Sequence, residues 1–435
     1  MAESIENAAA APRRRVAVVS LHTSPTAALG QSANGGLNVY VRETCLAFSE
    51  RGIATDVFTR RVEPDGHGEP PRIEALAPLS RVIYLPTASS TEASKYELLD
   101  HAQAFGESIA DFAQREDLQY DVIHSHYWLS GVAAERLRER TGSAWVHTAH
   151  TLGLVKNRQL AEGARPEPPE RIRAERAIAG AVDRVVASTD DEAEDWAWLY
   201  ACRPERIRVV APGVDLLAFR PQARLHAKRR LGYAGKRVVL FVGRLERLKG
   251  VDVLLRAVAR LEADLRSEVR VVVIGQDGSD ADQSETARLR GMVAELGIED
   301  QVEFMGTVPH DRLPHYYSAA DVCVMPSHSE SFGLVALEAQ ACGCPVLAAA
   351  VSGLQSVVRD EITGFLVPDH DPESYADRLR RLLTEPELSE QMGRRGTLLA
   401  QRFTWTRTAD RLLEVYEELG EPAQAGGVHF GSRQE

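Results

Sequence analysis

Residues 236–265 read KRVVLFVGRLERLKGVDVLLRAVARLEADL. The apolar run Val238 to Val242 ends at Gly243 and a charged loop, and Gly250 then opens a segment whose apolar residues recur at helical spacing. A short unbroken apolar run suits a strand covered on both faces, and the turn into a helix makes it a parallel-sheet unit. The same unit has already run through the chain once. RRVAVVSLHTS (14–24) is a strand pattern, followed by the glycine-rich GQSANGG (30–36) and the helical LNVYVRETCLAFSERG (37–52). IATDVFTR, YDVIHSHYW, SAWVHTAHT, VDRVVAST and RIRVVAPGVD continue that series. After residue 236 the series restarts and runs through VRVVVIGQDG, QVEFMGTV, DVCVMPS, CPVLAAAVSG and GFLVPD. Two α/β series without tandem sequence repeats predict two Rossmann-like domains with open parallel sheets, 15–215 and 216–404, joined between Pro212 and Pro221. The amphipathic WTRTADRLLEVYEELG (405–420) predicts a closing helix that returns to the first domain, and 1–14 and 421–435 read as flexible ends. Ligands of such sheets sit at the carboxyl ends of strands, here in a cleft between the halves.

Composition limits what that cleft can bind. The chain has 435 residues, 44% hydrophobic and 26% charged, with 51 basic against 63 acidic side chains and a net charge of -12. A broad nucleic-acid surface is excluded by that balance, whereas a local basic pocket for a phosphate is not. Cys45, Cys202, Cys323, Cys342 and Cys344 form no metal or disulfide spacing and read as free thiols of a reducing compartment. No apolar run is long enough for a membrane span, and MAESIENAAAAPRRR lacks the order of a secretory signal, so a cytoplasmic location is expected. A homodimer is compatible with everything in the sequence.

In HSESFGLVALEAQACG (328–343), Glu330 and Glu338 stand eight positions apart around an apolar run. Paired carboxylates suggest hydrolysis of a sugar bond. Here one would precede a helix and the other lie about one turn inside it, a poor arrangement for flanking a single glycosidic oxygen. Two hydroxyl-accepting grips are the better reading, Glu330 for a sugar and Glu338 for a ribose. Between them Ser331, Phe332, Gly333 and Leu334 would bring free N–H groups at the helix start to a diphosphate. Arg244 and Lys249, five apart in the loop between Gly243 and Gly250, supply fixed positive charge for a diphosphate leaving group. Gly35 and Gly36 allow close backbone approach to a phosphate or sugar, with His22 at the preceding strand end and Asn38 in the first helical turn beside them. His124, His126, His147 and His150 fit hydrogen-bonding strand ends better than a zinc site, because alternate strand positions face opposite ways and no H-E-x-x-H occurs. Lys95, Arg171 and Arg173 would gain a joint purpose from a phosphate on a second substrate.

Taken together, HTSPTAALGQSANGGLNVYVRE, SHYWLSG, HTAHTLGLVKN, GRLERLKG and HSESFGLVALEAQACG resemble the retaining glycosyltransferases of family 4, which have the GT-B fold. HTSP, GGLNVYV and HTAHTLGLVKN narrow the likeness to the D-inositol-3-phosphate glycosyltransferases of mycothiol biosynthesis. The resemblance implies transfer of N-acetylglucosamine from UDP-GlcNAc to 1L-myo-inositol 1-phosphate with retained configuration, the leaving phosphate oxygen serving as base. It implies Gly36, Arg244 and Lys249 at the donor diphosphate, Glu338 at the ribose, Glu330 at the donor sugar and His150 near the reacting carbon. Asn38, Lys95, Tyr127, Thr151 and Arg171, with His22, would surround the acceptor. No cofactor is required, and Mg2+ is compatible although no protein site indicates it. The chain departs from the pattern at Thr307 and Val308, where an arginine is common, and at VSGLQ, which replaces VGGLP and puts Ser352 and Gln355 beside the expected donor region. Sucrose-phosphate synthase, with UDP-glucose and fructose 6-phosphate, shares the E-x7-E unit and the GG loop and is the alternative enzyme. A non-catalytic nucleotide-sugar sensor is the alternative of another class.

Overall fold

The computed structural model describes residues 12–27, 35–61, 71–87, 96–161, 163–277 and 284–420. Lys95, Gly278 and nearly all of the two terminal segments lie outside them. The first sheet contains β1 (Arg14–Val19), β2 (Ile53–Arg60), β3 (Arg72–Ala77), β4 (Ser80–Leu85), β5 (Val122–His126), β6 (Ala144–Thr148), β7 (Arg184–Ala187) and β8 (Ile207–Val209). Its order is β3-β4-β2-β1-β5-β6-β7-β8, parallel except for the β3–β4 pair. The second sheet contains β9 (Arg237–Val242), β10 (Val269–Ile274), β11 (Val302–Gly306), β12 (Val322–Met325), β13 (Val346–Ala349) and β14 (Gly364–Val367). Its order is β11-β10-β9-β12-β13-β14, parallel throughout.

Each sheet is buried on both faces because each strand feeds two cores. Along β1, Val16 and Val18 pack with helices Gly36–Glu50 and Trp405–Glu417, while Ala17 and Val19 pack with the helices on the other face. Along β9, Val239 and Phe241 belong to one core, Val238 and Leu240 to the other. The apolar runs quoted above reflect this two-sided burial. The β3–β4 edge pair escapes that pattern, since β3 is half exposed along its whole length.

The chain leaves the second sheet through helix Trp405–Glu417, whose side chains Trp405, Leu412 and Tyr416 lie in the core of the first. Tyr416 bonds His124 Nδ1 at 2.6 Å, and Thr408 donates to the Ala211 carbonyl at 2.8 Å. Two passes of chain therefore tie the halves together at one end, with a cleft between the strand ends. No helix among the described residues is long and apolar enough to cross a membrane.

Candidate active site

Both sheets reverse strand order beside their central strands, β1 and β9, and the loops at those carboxyl ends face each other across a cleft of about 1960 Å³. The helices that follow meet there. Helix Gly36–Glu50 and helix Leu334–Ala341 each begin without a side-chain cap and without an acid in the first turn. A methyl group on Gly36 would lie 3.2 Å from Leu334 Cδ1, so the two amino ends converge from opposite walls. Uncapped N–H groups and two positive dipole ends make this the point in the cleft best suited to an anion.

On the second-sheet wall, Lys249 Nζ lies 2.6 Å from Glu330 Oε2, each side chain 19% exposed. Arg244 Nη1 is 2.9 Å from Glu246 Oε1. Glu338 is buried, accepting from the Tyr317 hydroxyl at 2.9 Å and bonding His310 Nε2 at 2.8 Å. Burial disfavours a proton on His310, but the Glu338 charge and hydrogen bond outweigh it and raise the histidine above its ordinary value. Ser331, Phe332, Gly333 and Leu334 line the cleft between the two glutamates. Helix Ser352–Val357 supports that loop: a Cβ on Gly353 would stand 2.3 Å from the Glu330 carbonyl, to which its N–H donates at 3.1 Å.

On the first-sheet wall, His22, Tyr127, His150 and Thr151 line the cleft. His22 and Tyr127 rings lie 4.6 Å apart, and His126 Nδ1 is 2.9 Å from His150 Nε2. Tyr127 (φ 75°) and His150 (φ 61°) both take positive φ, which for such bulky residues is strain held by the surrounding fold. Burial pushes His150 down to about 3, and His124 and His147 likewise, with neighbouring histidines adding to it. These rings are therefore neutral donors and acceptors near neutral pH.

Several expected contacts lie elsewhere. Arg171 is 0% exposed and does not line the cleft; its guanidinium bonds Thr151 O at 2.8 Å, Thr151 Oγ1 at 3.0 Å, Tyr127 OH at 3.2 Å and Glu175 Oε1 at 2.7 Å. It stands behind two cleft-lining residues and fixes their positions. Asn38 also turns inward, accepting from Thr23 Oγ1 at 2.8 Å and donating to Ser24 O at 2.6 Å, so it shapes the HTSP loop. Arg173 is exposed and pairs with Glu170. Ser352 and Gln355 do not line the cleft: Ser352 borders a separate groove with Arg158, Asp195 and Trp198, and Gln355 caps the Ala350 carbonyl at 2.7 Å. Thr307 and Val308 do line it. Among cleft residues that the sequence reading passed over are Arg60, Arg72, Lys156, Glu167 and His310. The spacing Glu167–Arg171–Glu175, four residues each way across the start of helix Pro169–Ala181, was a legible sign of a buried ion-paired arginine.

The comparisons agree with this architecture. The model described as Glycosyltransferase Family 4 matches residues 34–216, and Glycosyl transferases group 1 matches 224–399. The D-inositol 3-phosphate glycosyltransferase of Saccharomonospora viridis is 44% identical over 411 residues, 93% of this chain and 94% of that protein. The solved structure of sucrose-phosphate synthase from Thermosynechococcus elongatus is similar with a TM-score of 0.85 and 34% identity, covering 94% of this chain and 99% of that one. Anabaena HepE, solved with UDP-glucose, has a TM-score of 0.73 at 18% identity over 93% of this chain and 100% of its own, a likeness of fold. Two facing α/β domains with a shared cleft have the GT-B fold, and the family models and relatives make the chain a glycosyltransferase, an enzyme that transfers hexosyl groups. The chain belongs to family 4 of these enzymes, in the group of the D-inositol 3-phosphate glycosyltransferases.

Proposed function

We propose that the chain transfers N-acetylglucosamine from UDP-GlcNAc to 1L-myo-inositol 1-phosphate with retention of configuration. The observation that carries this reading is the pairing of two walls. One presents Arg244, Lys249, Glu330 and Glu338 around uncapped helix ends; the other presents two hydroxyls and a cation, Tyr127, Thr151 and Lys156, suited to a phosphate. The relatives named as D-inositol 3-phosphate glycosyltransferases support the acceptor. The donor diphosphate lies between Gly36 and Gly333–Leu334, Glu338 accepts from the ribose hydroxyls, and Glu330 accepts from the sugar.

In the reaction, an acceptor hydroxyl oxygen attacks the anomeric carbon on the face from which the diphosphate departs. The carbon–oxygen bond to the β-phosphate breaks, the acceptor proton passes to that phosphate oxygen, and UDP leaves. Negative charge grows on the diphosphate as the bond opens, so Arg244, Lys249 and the helix N–H groups bind the transition state more tightly than the ground state. His150, neutral and held by His126, hydrogen-bonds the sugar beside the reacting carbon. No protein nucleophile is needed.

The second reading, transfer of glucose from UDP-glucose to fructose 6-phosphate, is favoured by the likeness to sucrose-phosphate synthase. A product assay separates the two. UDP-GlcNAc and UDP-glucose are each offered with 1L-myo-inositol 1-phosphate and with fructose 6-phosphate, and the glycoside and its anomer are read by mass and NMR. An α-linked N-acetylglucosaminyl inositol phosphate is expected. Turnover confined to fructose 6-phosphate would assign the second reading.

A further inference from the structure

We propose that Glu167 is an internal anion held by the cations that bind the acceptor's phosphate, and that the phosphorylated acceptor binds by displacing its side chain. The inference rests on the phosphorylated-acceptor reading given above.

Glu167 lines the cleft on the segment between helix Gly153–Arg158 and helix Pro169–Ala181, and is 8% exposed. Its Oε1 accepts from Lys156 Nζ, while its Oε2 accepts from the Tyr96 hydroxyl at 3.0 Å and lies 3.1 Å from Arg171 Nη1. Two cations and a phenol around one pair of oxygens are the donors that a phosphate monoester requires. The backbone of Glu167 is held separately: its N–H donates to Asn157 Oδ1 at 2.6 Å and its carbonyl accepts from Asn157 Nδ2 at 3.2 Å. The carboxylate can therefore turn away without loss of the loop's anchor.

Charge decides the matter. Among the described contacts Arg171 also pairs with Glu175 at 2.7 Å, so Lys156 and Arg171 face two carboxylates, Glu167 and Glu175. Arg165 and Glu170, which also line the cleft, add one charge of each sign. A phosphate dianion entering beside Glu167 would meet a like charge at close range in a partly dry site. Once the Glu167 side chain turns away, its negative charge no longer opposes a phosphate beside Lys156. The Tyr127 hydroxyl, which accepts from Arg171 at 3.2 Å, keeps its own proton to donate. A neutral polyol cannot replace an ion-paired carboxylate, whereas a phosphate can, so Glu167 makes the site selective for an anion.

The test uses the full chain as wild type, E167Q and E167D. Inorganic phosphate is titrated as a competitive inhibitor against the acceptor, acceptor KM and kcat are measured, and circular dichroism and Tm report folding of the whole chain beside UDP affinity. The expected result is a fall in phosphate Ki and acceptor KM on the order of tenfold in E167Q, because phosphate no longer replaces a charge-assisted contact. E167D, which keeps the charge with a shorter reach, should shift the same way by less and serves alone if E167Q does not fold. A rise or no change in Ki and KM with UDP affinity intact, while wild type still prefers the phosphorylated acceptor, overturns the proposal alone. If phosphate inhibits no variant and wild type turns over unphosphorylated inositol as fast as its phosphate, the acceptor reading falls and takes the proposal with it.

Discussion

Replacing Lys249 by methionine removes the cation proposed to face the departing diphosphate while keeping most of the side-chain volume. Its Nζ is 2.6 Å from Glu330 Oε2, with both side chains about one-fifth exposed. At about 4 Å and an effective dielectric constant of about 20, a unit charge pair is worth roughly 4 kcal/mol before desolvation and competition are counted. Glu330 already shares this cation, so the net gain from the diphosphate falls to that of a charge-assisted hydrogen bond, about 1.5–3 kcal/mol. UDP should therefore bind K249M about 10- to 150-fold more weakly by calorimetry. Turnover should suffer more than binding, because charge on the leaving oxygen is largest in the transition state. With saturating donor, a fall in kcat of about 100-fold or more is expected. Unchanged UDP affinity together with kcat within twofold of wild type would refute the placement of Lys249. A raised KM with kcat intact would refute its leaving-group role, since that pattern marks uniform binding.

Acid should destabilise the first domain through its buried histidines. His124, His147 and His150 sit near 3 in the fold against about 6.5 unfolded, so the unfolded chain binds more protons between those values and stability is lost as pH falls. At pH 5 each neutral buried histidine costs about 2 kcal/mol relative to pH 8, visible as a drop in Tm, and a flat Tm from pH 8 to pH 5 would contradict the buried network. Gly353→Ala should displace the Glu330 loop, since the new methyl would lie 2.3 Å from the Glu330 carbonyl. A loss of about 1–3 kcal/mol in denaturant unfolding is expected, together with a drop in donor kcat/KM, and wild-type kinetics in G353A would show that the loop tolerates the shift.

The parallel strands were legible because burial on both faces leaves an unbroken apolar signature, as in Val238 to Val242. The β3–β4 hairpin was not, because half-exposed β3 carries neither that run nor a clean alternation. Arg244 and Lys249 were picked out by the glycines that flank their loop and Glu330 by its spacing from Glu338, both local signals, and all three line the cleft. The direction in which a side chain turns is not local. Asn38 meets Thr23 and Ser24 through a loop whose path the sequence does not state, and His310 reaches Glu338 across 28 positions. Arg171 was placed at the acceptor by its charge and by the family resemblance, although its glutamate neighbours four residues on either side already provided the partners that bury it.

The most direct test of the account is the ratio of kcat/KM for 1L-myo-inositol 1-phosphate to that for unphosphorylated myo-inositol, with UDP-GlcNAc saturating. One charge-assisted contact, from the cleft-lining Lys156, would favour the phosphate by about 1.5–3 kcal/mol, a preference of roughly 10-fold to 150-fold. A ratio near one, with either acceptor turned over freely, would contradict the claim that the first-domain wall is built for a phosphate.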